Sequence, residues 1–258
     1  MLKIAVLGAG RMGRELVSAI ESSENAELAG LWVRANRPSL VPLPKGAVAS
    51  SNLGEVLAGA EVAIDFSLPA ATLEVLDAAT RAGVPLVSGV TGLGQYAMRQ
   101  LQVFAQSAPL LYDRNMSIGI AVLEDLVARA APRLPQFVAE VHETHHVHKK
   151  DAPSGTAIAL GEALAQSVGR DFDEVYRYEP EAAAGRHRPE EILFVVTRRG
   201  EVAGEHTVIF RSEAESLELT HKVSDRRVFA QGALRAAHWL VSQPPGFYRM
   251  RDMMHALT

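Results

Sequence analysis

The first half of the chain alternates short apolar runs with stretches whose apolar residues recur at helical spacing. The apolar runs predict strands at Lys3 to Leu7, Glu27 to Val33, Val62 to Phe66, Pro85 to Val87 and Leu110 to Tyr112. The helical spacing predicts helices over Arg11 to Glu21, 70–82 and 94–107. Strands that alternate with helices in this way are typical of a doubly wound parallel sheet, which makes this an α/β protein.

The pattern changes after about residue 115, where longer strands replace the alternation. These strands are predicted at Phe137 to Val141, Ile192 to Thr197, Val202 to Phe210 and Leu217 to Val223. Arg199-Gly200 predicts a hairpin turn between the second and third of them, and 179–190 predicts a mobile loop. A final helix is predicted over Val228 to Val241. We therefore expect an α+β domain at 116–226, and a first domain made of 1–115 and 227–258.

Composition excludes several classes of protein. The chain has 258 residues, of which 48% are hydrophobic and 22% charged, as in globular domains with ample core. A net charge of −4 gives no support for a nucleic-acid partner. No cysteine is present, so a disulfide framework is excluded, and we expect a cytoplasmic protein. The apolar run Ile4 to Leu7 is too short for a signal peptide, and no run predicts a membrane span.

A glycine-rich turn follows the first predicted strand. It reads Gly8-Ala9-Gly10-Arg11-Met12-Gly13 and opens the first predicted helix, which is the context in which GxGxxG indicates dinucleotide binding. The glycines allow close approach of the backbone, and the helix start faces the pyrophosphate. The alternative is an ordinary tight turn. From the residues alone, this turn is a candidate dinucleotide site.

The end of the second predicted strand bears on the choice of cofactor. Dinucleotide-binding folds that use NAD carry an acidic residue there, which holds the ribose. Here Trp32 and Val33 are followed by Arg34, with Arg37 nearby. Arginine binds a phosphate through two parallel hydrogen bonds, so NADPH is favoured over NADH, with Arg34 as a contact. The alternative is that Arg34 is only a surface residue.

Two further turns follow predicted strands, where open α/β sheets bind their ligands. The first contributes Gly89, Val90 and Thr91 as candidate cofactor contacts. The second contributes Asp113, Arg114, Asn115 and Met116. Glycine and asparagine are also common in turns without any function, so both alternatives stay open.

The segment from residue 143 to 156 carries the strongest chemical signal. It reads Glu-Thr-His-His-Val-His-Lys-Lys-Asp-Ala-Pro-Ser-Gly-Thr. Histidine exchanges protons near neutral pH, and lysine supplies positive charge. Ser154, Gly155 and Thr156 open an apolar-periodic run, so they predict a helix start, which binds anions. Together these features indicate an acidic substrate that is protonated during the reaction.

The same region contains His142-Glu143-Thr144-His145-His146, which satisfies the HExxH pattern of zinc peptidases. That pattern holds zinc only on a helix, where both histidines share one face. A predicted strand precedes it, and Pro153 follows too closely for a long helix. We therefore expect no metal, with a zinc metallopeptidase or a merely polar loop as alternatives.

The whole segment from residue 143 to 157 resembles the signature of the dihydrodipicolinate reductase family, also called 4-hydroxy-tetrahydrodipicolinate reductases. It reads Glu-Thr-His-His-Val-His-Lys-Lys-Asp-Ala-Pro-Ser-Gly-Thr-Ala. The family's reaction lies on the diaminopimelate route to lysine. The resemblance covers nearly the whole chain. It includes Gly8 to Arg14, Asp65-Phe66-Ser67 with Pro69, Gly89 to Gly92, Asn115-Met116-Ser117, Gly204-Glu205-His206-Thr207 and Leu219-Thr220-His221-Lys222.

The resemblance implies roles for particular residues. His145 matches the catalytic proton donor or acceptor, and Lys149 matches a second proton donor. The family's cofactor loops match Leu7 to Met12, Gly89 to Thr91 and Asp113 to Met116. His146, Gly155 and Thr156 match substrate contacts, to which we add Ser154 from the predicted helix start. It also implies a Rossmann-type domain with an inserted substrate and oligomerisation domain, a cyclic dicarboxylate substrate, NADPH or NADH, and a homotetramer. Many members carry an acidic residue where Val33 stands, which again favours NADPH.

Two other functions remain open at this point. A nicotinamide-dependent reductase of the same fold could act on another amino or dicarboxylic acid. A nucleotide-sensing protein could bind the cofactor without catalysis. The histidine and lysine cluster argues against the sensor, because a sensor needs no proton donor.

Overall fold

The computed structural model describes residues 1–34, 43–44, 46–178 and 188–256. Arg37 and most of the loop predicted at 179–190 lie outside the described residues. Within the described ranges, no helix combines the length and the apolar character that a membrane crossing requires.

The elements alternate through the first half of the chain, as the apolar pattern predicts. The strands are β1 (Leu2–Leu7), β2 (Ala26–Trp32), β3 (Val48–Ser50), β4 (Val62–Asp65), β5 (Leu86–Ser88), β6 (Pro109–Tyr112), β7 (Val138–His145), β8 (Tyr176–Tyr178), β9 (Ile192–Arg198), β10 (Gly204–Arg211), β11 (Ser216–Val223) and β12 (Gly246–Tyr248). The helices are α1 (Arg11–Glu21), α2 (Leu53–Leu57), α3 (Thr72–Ala82), α4 (Gln95–Ala105), α5 (Ile118–Ala130), α6 (Gly155–Ser167), α7 (Phe172–Val175), α8 (Arg227–Leu240) and α9 (Met250–His255).

The chain divides into two compact units. The first unit comprises Met1–Ile118 and Arg226–Thr258, and the second comprises Gly119–Asp225. The first boundary therefore lies three residues beyond the predicted residue 115, and the second lies one residue before the predicted residue 227.

The first unit is built on a parallel sheet with the strand order β12-β6-β5-β4-β1-β2-β3. Every pairing recorded in this sheet is parallel. Residues Ile4 to Leu7 of β1 are fully buried, as expected for a central strand covered by helices on both faces. The order from β3 to β6 is that of dinucleotide-binding sheets, with the switch in strand order beside β1. The predicted doubly wound sheet is confirmed.

The second unit contains a mixed sheet in the order β11-β10-β7-β9-β8. Its central strand, β7, is antiparallel to β10 and parallel to β9. Alternate residues of β7 are buried from Ala139 to His145, so one face of the strand lies on the core. The core on that face includes residues of α5 and α6. The predicted α+β character of the insertion is confirmed.

The predicted hairpin between the second and third strands of this unit is wrong. β9 and β10 do reverse direction after Arg199-Gly200, but β7 lies between them in the sheet. The turn instead bonds to the end of β7. The Arg199 N–H donates to the His145 carbonyl at 2.8 Å, and the Val147 N–H donates to the Gly200 carbonyl at 3.2 Å. The turn's hydrogen bonds are therefore made with β7 and the residues after it.

Candidate active site

The turns predicted to bind the cofactor lie at the carboxyl ends of neighbouring parallel strands. Gly8 follows β1 with φ of +105°, and a Cβ there would lie 3.0 Å from the Phe66 carbonyl oxygen. Gly13 lies in α1, where a Cβ would fall 1.9 Å from the Gly8 carbonyl oxygen. These two positions need glycine, one for its backbone conformation and the other because helix and turn are in contact.

Gly10 differs from its two neighbours in the motif. A Cβ on Gly10 would meet no atom of the described residues within 4 Å. Gly10 is also the N-cap of α1, and no side chain caps this helix start. The start of α1 is therefore open beside Gly10, a setting that fits the pyrophosphate of a dinucleotide. Leu7 is buried at the end of β1, whereas Arg11 is exposed at the first position of the helix.

The end of β2 lacks a carboxylate at the position after the strand. Val33 is half-buried there, and the Arg34 side chain is exposed. The Trp32 indole N–H donates to the Ser51 carbonyl at 3.0 Å, which directs this ring toward the β3 connection.

The turn after β5 is packed against the turn after β4. A Cβ on Gly89 would lie 2.5 Å from the Phe66 ring, and Gly92 has φ of +76°. Val90 is buried, whereas Thr91 is exposed. The structure therefore brings the Gly8, Phe66 and Gly89 turns to one edge of the sheet.

In the turn after β6, the Asp113 carboxylate accepts hydrogen bonds from other parts of the first unit. Asp113 is buried, and its Oδ2 accepts hydrogen bonds from the Met250 N–H at 3.2 Å and from Arg249 Nε at 3.4 Å. Its Oδ1 accepts the Arg114 N–H at 2.8 Å. Met116 is buried as well, whereas Asn115 is half-buried and accepts the Ser117 N–H at 2.8 Å. A cofactor contact at Asp113 would therefore have to come from its backbone.

In the second unit, the histidine-rich segment begins as a strand. β7 runs four residues beyond the predicted Val141, to His145. Glu143 and His145 are buried on its inner face, and His142 lies on the other face, 2.7 Å from Glu140. His142 and Glu143 of the HExxH match thus lie on opposite faces of a strand, and His146 follows the end of that strand. The zinc-peptidase alternative is not supported, because it requires a helix.

Glu143 is the centre of a buried polar cluster. Its Oε2 accepts the Ser154 N–H at 3.0 Å, and its Oε1 lies 3.0 Å from Arg198 Nη1. The same Oε2 lies 3.6 Å from His145 Nδ1 and 3.9 Å from His206 Nε2. Sheet register explains the arrangement, because His206 of β10 is the partner of Glu143, and Arg198 of β9 is the partner of His145.

Three members of this cluster have the chemistry of metal ligands. Glu143, His145 and His206 each place one donor atom within 4.8 Å of the others. However, the carboxylate already faces the Arg198 guanidinium and accepts the Ser154 N–H. A cation there would have to compete with the guanidinium of the half-buried Arg198, so we interpret the cluster as a network of ion pairs and hydrogen bonds.

Both histidines of the cluster are uncharged at neutral pH. Burial, followed by the positive charges of Lys149 and Arg198, lowers the pKa of His145 to about 4. Burial is also the main cause that lowers the pKa of His206 to about 3. Without an anionic ligand, His145 is therefore a proton acceptor and not a donor.

The segment after β7 is held against the sheet by Arg198. Its guanidinium donates to the carbonyl oxygens of Asp151 and Lys149. The Lys149 ammonium in turn donates to Asp151 Oδ2 at 2.7 Å. His148 is exposed, 3.6 Å from Glu201. The positive charge of Lys149 therefore lies on an anchored segment that directly follows His145 and His146.

The predicted helix start at residue 154 is confirmed as the N-terminus of α6. Ser154 is its N-cap, and the Ser154 hydroxyl accepts the Ala157 N–H at 3.2 Å. The same hydroxyl lies 3.3 Å from His206 Nε2. Ser154 and Thr156 are both buried. The Ser154 side chain thus serves the helix cap, and the N–H groups of Gly155 and Thr156 belong to the helix's first turn.

Three residues of this cluster have no role predicted from the sequence, and these are Glu143, Arg198 and His206. A signal for Glu143 was present, because residues two apart on a strand share a face, and His145 follows it by two. Arg198 and His206 reach the cluster through the pairing of β9 and β10 with β7. No local pattern reveals that pairing.

The fold, the strand-end turns of the first unit and the Glu143 cluster of the second unit together define a class of protein. A dinucleotide-type sheet and an inserted α+β unit with a buried histidine cluster are typical of nicotinamide-dependent oxidoreductases. Family models described as "Dihydrodipicolinate reductase, N-terminus" and "Dihydrodipicolinate reductase, C-terminus" match residues 2–116 and 119–254. The chain belongs to the dihydrodipicolinate reductase family.

Individual relatives agree with this assignment. The chain is 42% identical over 256 residues to the 4-hydroxy-tetrahydrodipicolinate reductase of Wolinella succinogenes, covering 98% of this chain and 99% of the relative. It is also 42% identical over 260 residues to the enzyme of that name from Pseudoalteromonas translucida, covering 98% and 97%. Its fold resembles the dipicolinate-bound dihydrodipicolinate reductase of Paenisporosarcina sp. TG-14, with a TM-score of 0.79, 22% identity, and coverage of 96% and 97%.

Proposed function

We propose that this chain reduces 4-hydroxy-tetrahydrodipicolinate to tetrahydrodipicolinate with NAD(P)H, in the diaminopimelate route to lysine. The observation that carries the proposal is the setting of His145. This buried, uncharged imidazole lies near the positive charges of Lys149 and Arg198, in the same unit as the capped start of α6. Such a group suits an anionic substrate that must gain a proton.

The cofactor site that we propose is the edge formed by the Gly8, Gly89 and Asp113 turns. When bound, the nicotinamide cofactor supplies the hydride. The open space beside Gly10 and the uncapped start of α1 support a pyrophosphate contact there. We propose NADPH as the preferred cofactor, because Val33 stands where a carboxylate would favour the ribose of NADH, and the exposed Arg34 follows it.

The proton is proposed to come from His145, with Lys149 as a second donor. Burial and the neighbouring cations keep the free imidazole neutral. A dicarboxylate substrate would bring two negative charges close to these cations and so favour the imidazolium form. His145 would then become protonated only when substrate is bound. The free protein would then contain no buried imidazolium at His145.

The substrate carboxylates are proposed to bind His146 and the first turn of α6. The N–H groups of Gly155 and Thr156 and the dipole of the helix both favour an anion at this end. The Ser154 hydroxyl is already used by the cap, so we assign Ser154 a backbone contact or a purely structural role.

A homotetramer is proposed for the assembly. β11 is the outermost strand of its sheet and, among the described strands, pairs with β10 alone. Most residues of β11 are exposed, including Leu217 at 43%. An exposed strand edge of this kind is commonly covered by another chain. Light scattering on the purified protein tests the stoichiometry.

The function is tested by following NADPH oxidation with the freshly formed cyclic product of aspartate semialdehyde and pyruvate. We expect turnover by the wild type, and a decrease of roughly 10²–10⁴-fold in kcat for His145→Gln with cofactor binding retained. Chelation should leave turnover unchanged. Oxidation of NADPH with other keto or imino acids but not with this substrate would favour the alternative reductase.

A further inference from the structure

His145 presents its two ring nitrogens to different surroundings. Nδ1 lies 3.6 Å from Glu143 Oε2 and is buried, with no hydrogen-bond partner among the described residues. Nε2 lies on the side of Gly204, where a Cβ would approach it to 3.3 Å. Glycine at position 204 therefore leaves space beside Nε2, while the opposite side of the ring faces a carboxylate.

The carboxylate itself is fixed by groups from three other elements. Arg198 of β9 contacts Oε1, the backbone N–H of Ser154 at the start of α6 contacts Oε2, and His206 of β10 lies beside it. The His206 ring also packs edge-on against the His145 ring, with centroids 5.0 Å apart at 74°. Neither Glu143 nor His145 can therefore turn away without disturbing its neighbours.

A carboxylate accepts hydrogen bonds and, when ionised, donates none. At 3.6 Å the two atoms are not hydrogen-bonded, but the negative charge of the carboxylate favours hydrogen on the nitrogen that faces it, which leaves the lone pair of the neutral ring on Nε2. We propose that Glu143 is a positioning residue that holds His145 as the Nδ1–H tautomer and so makes Nε2 the atom that exchanges the proton. This proposal rests on the proposed reductase function.

In this assignment, His145 Nε2 carries a proton from solvent to the substrate. Nε2 takes a proton from solvent and the ring becomes an imidazolium. After hydride has been added to the substrate, the Nε2–H bond breaks and a bond forms between that hydrogen and the electron-rich substrate atom. The electron pair of the broken bond stays on Nε2, which restores the neutral Nδ1–H ring.

Other charged and titratable groups around the His145 ring also affect its pKa. Lys149 and Arg198 disfavour the imidazolium, as does His146, whereas Asp151 favours it. His206 is neutral at the same pH. The negative charge closest to Nδ1 among the recorded ion pairs is that of Glu143, so its removal should disfavour the protonated ring.

The test uses Glu143→Gln, which keeps the size of the side chain and removes its charge. Nitrogen NMR of the histidine rings should show His145 as the Nδ1–H tautomer in the wild type and a loss of that preference in the variant. We expect kcat to fall roughly ten- to a hundredfold, as when an orienting partner of a histidine is removed. The basic limb of the kcat profile should move to lower pH, and the Kd for NADPH should stay unchanged.

Glu140→Gln is the matched control. Glu140 lies on the same strand but on the other face, where it contacts His142 and Arg211. The same chemical change there should leave the His145 tautomer, kcat and the pH profile as in the wild type. Glu143→Asp should restore part of the kcat, because it returns the charge with a shorter side chain.

Two results would overturn the proposal. One is a wild-type His145 with its hydrogen on Nε2, a measurement that needs no variant and so survives any folding defect. The other is a folded Glu143→Gln protein with the wild-type tautomer and pH profile. Failure of the proposed function would look different, because the wild type would then show the Nδ1–H tautomer and bind NADPH without reducing the substrate.

Discussion

Arg198 Nη1 lies 3.0 Å from Glu143 Oε1, and the two residues belong to neighbouring parallel strands of the second unit. The Glu143 side chain is fully buried, whereas Arg198 is 20% exposed. The guanidinium also holds the segment that carries Lys149 and Asp151. Arg198 therefore connects the buried Glu143 carboxylate to the segment that carries Lys149.

Removal of Arg198 should destabilise the protein strongly. Arg198→Met would leave the Glu143 carboxylate buried beside neutral groups, and breaking a buried pair from one side costs about 3–5 kcal/mol. Urea unfolding at neutral pH measures the change. Arg211→Met is the control, because its pair with Glu140 is half exposed and should be worth about 1 kcal/mol or less. Equal losses in the two variants would contradict the account of the buried pair.

Stability should fall in acid because of the two neutral histidines. Unfolded histidine has a pKa near 6.5, whereas burial lowers the folded pKa of His206 to about 3 and that of His145 to about 4. Between these values the unfolded chain binds more protons, so the free energy of unfolding decreases as pH falls from 6.5 toward 3, by about 1.4 kcal/mol per pH unit and group.

His206→Gln isolates this contribution, because glutamine does not titrate. The variant's unfolding free energy should change less than that of the wild type between pH 6.5 and pH 4.5. Chemical denaturation at both pH values provides the comparison. Parallel losses in wild type and variant would show that His206 does not titrate as the structure implies.

Two glycines of the nucleotide turn should respond differently to alanine. Gly13→Ala would place a methyl 1.9 Å from the Gly8 carbonyl oxygen, so the helix must shift, and we expect a loss of about 1–3 kcal/mol. Gly10→Ala meets open space, so its effect on stability should be about 1 kcal/mol or less. Its methyl would nevertheless fill the space assigned to the pyrophosphate.

Thermal unfolding with and without NADPH separates these effects. The Gly10→Ala protein should unfold near the wild-type temperature and gain little stability from the cofactor. A Gly10→Ala protein that NADPH stabilises as much as it does the wild type would remove this turn from the cofactor site.

Arg34→Ala should weaken NADPH use selectively. Loss of a charge-assisted hydrogen bond costs about 1.5–3 kcal/mol, which corresponds to roughly a ten- to hundredfold higher KM for NADPH. The KM for NADH should change little, because NADH lacks the 2′-phosphate. Arg81→Ala, which removes an exposed arginine of α3 paired with Asp77, serves as the control. An equal rise for both cofactors would mean that Arg34 does not contact the phosphate.

Much of the first unit could be predicted because its buried strands are continuous apolar runs. The apolar pattern missed β3, β8 and β12, each of which has three residues. The equally short β5 was predicted because it is buried throughout, whereas the residues of these three strands are half-buried or exposed. It also ended β7 at Val141, because the inner face of the strand continues with the polar residues Glu143 and His145. The polar positions that conceal the strand are those that carry the proposed chemistry.

The candidate site was predicted only as far as its residues are close in sequence. The segment from His145 to Thr156 was visible as one motif, and its helix start was located correctly. Arg198 and His206 were not, because strand pairing across β7 brings them to Glu143. A local turn such as Arg199-Gly200 indicates a reversal of direction but does not determine which strand becomes the neighbour.

The most direct test of the central claim follows the hydride itself. NADPH deuterated at the transferable position of the nicotinamide would be mixed with the protein and the cyclic product of aspartate semialdehyde and pyruvate, and the product analysed by mass spectrometry. We expect tetrahydrodipicolinate that carries the deuterium on a ring carbon, formed by the wild type and at a greatly reduced rate by His145→Gln. A product without deuterium, or oxidation of NADPH with no reduced ring, would contradict the assignment.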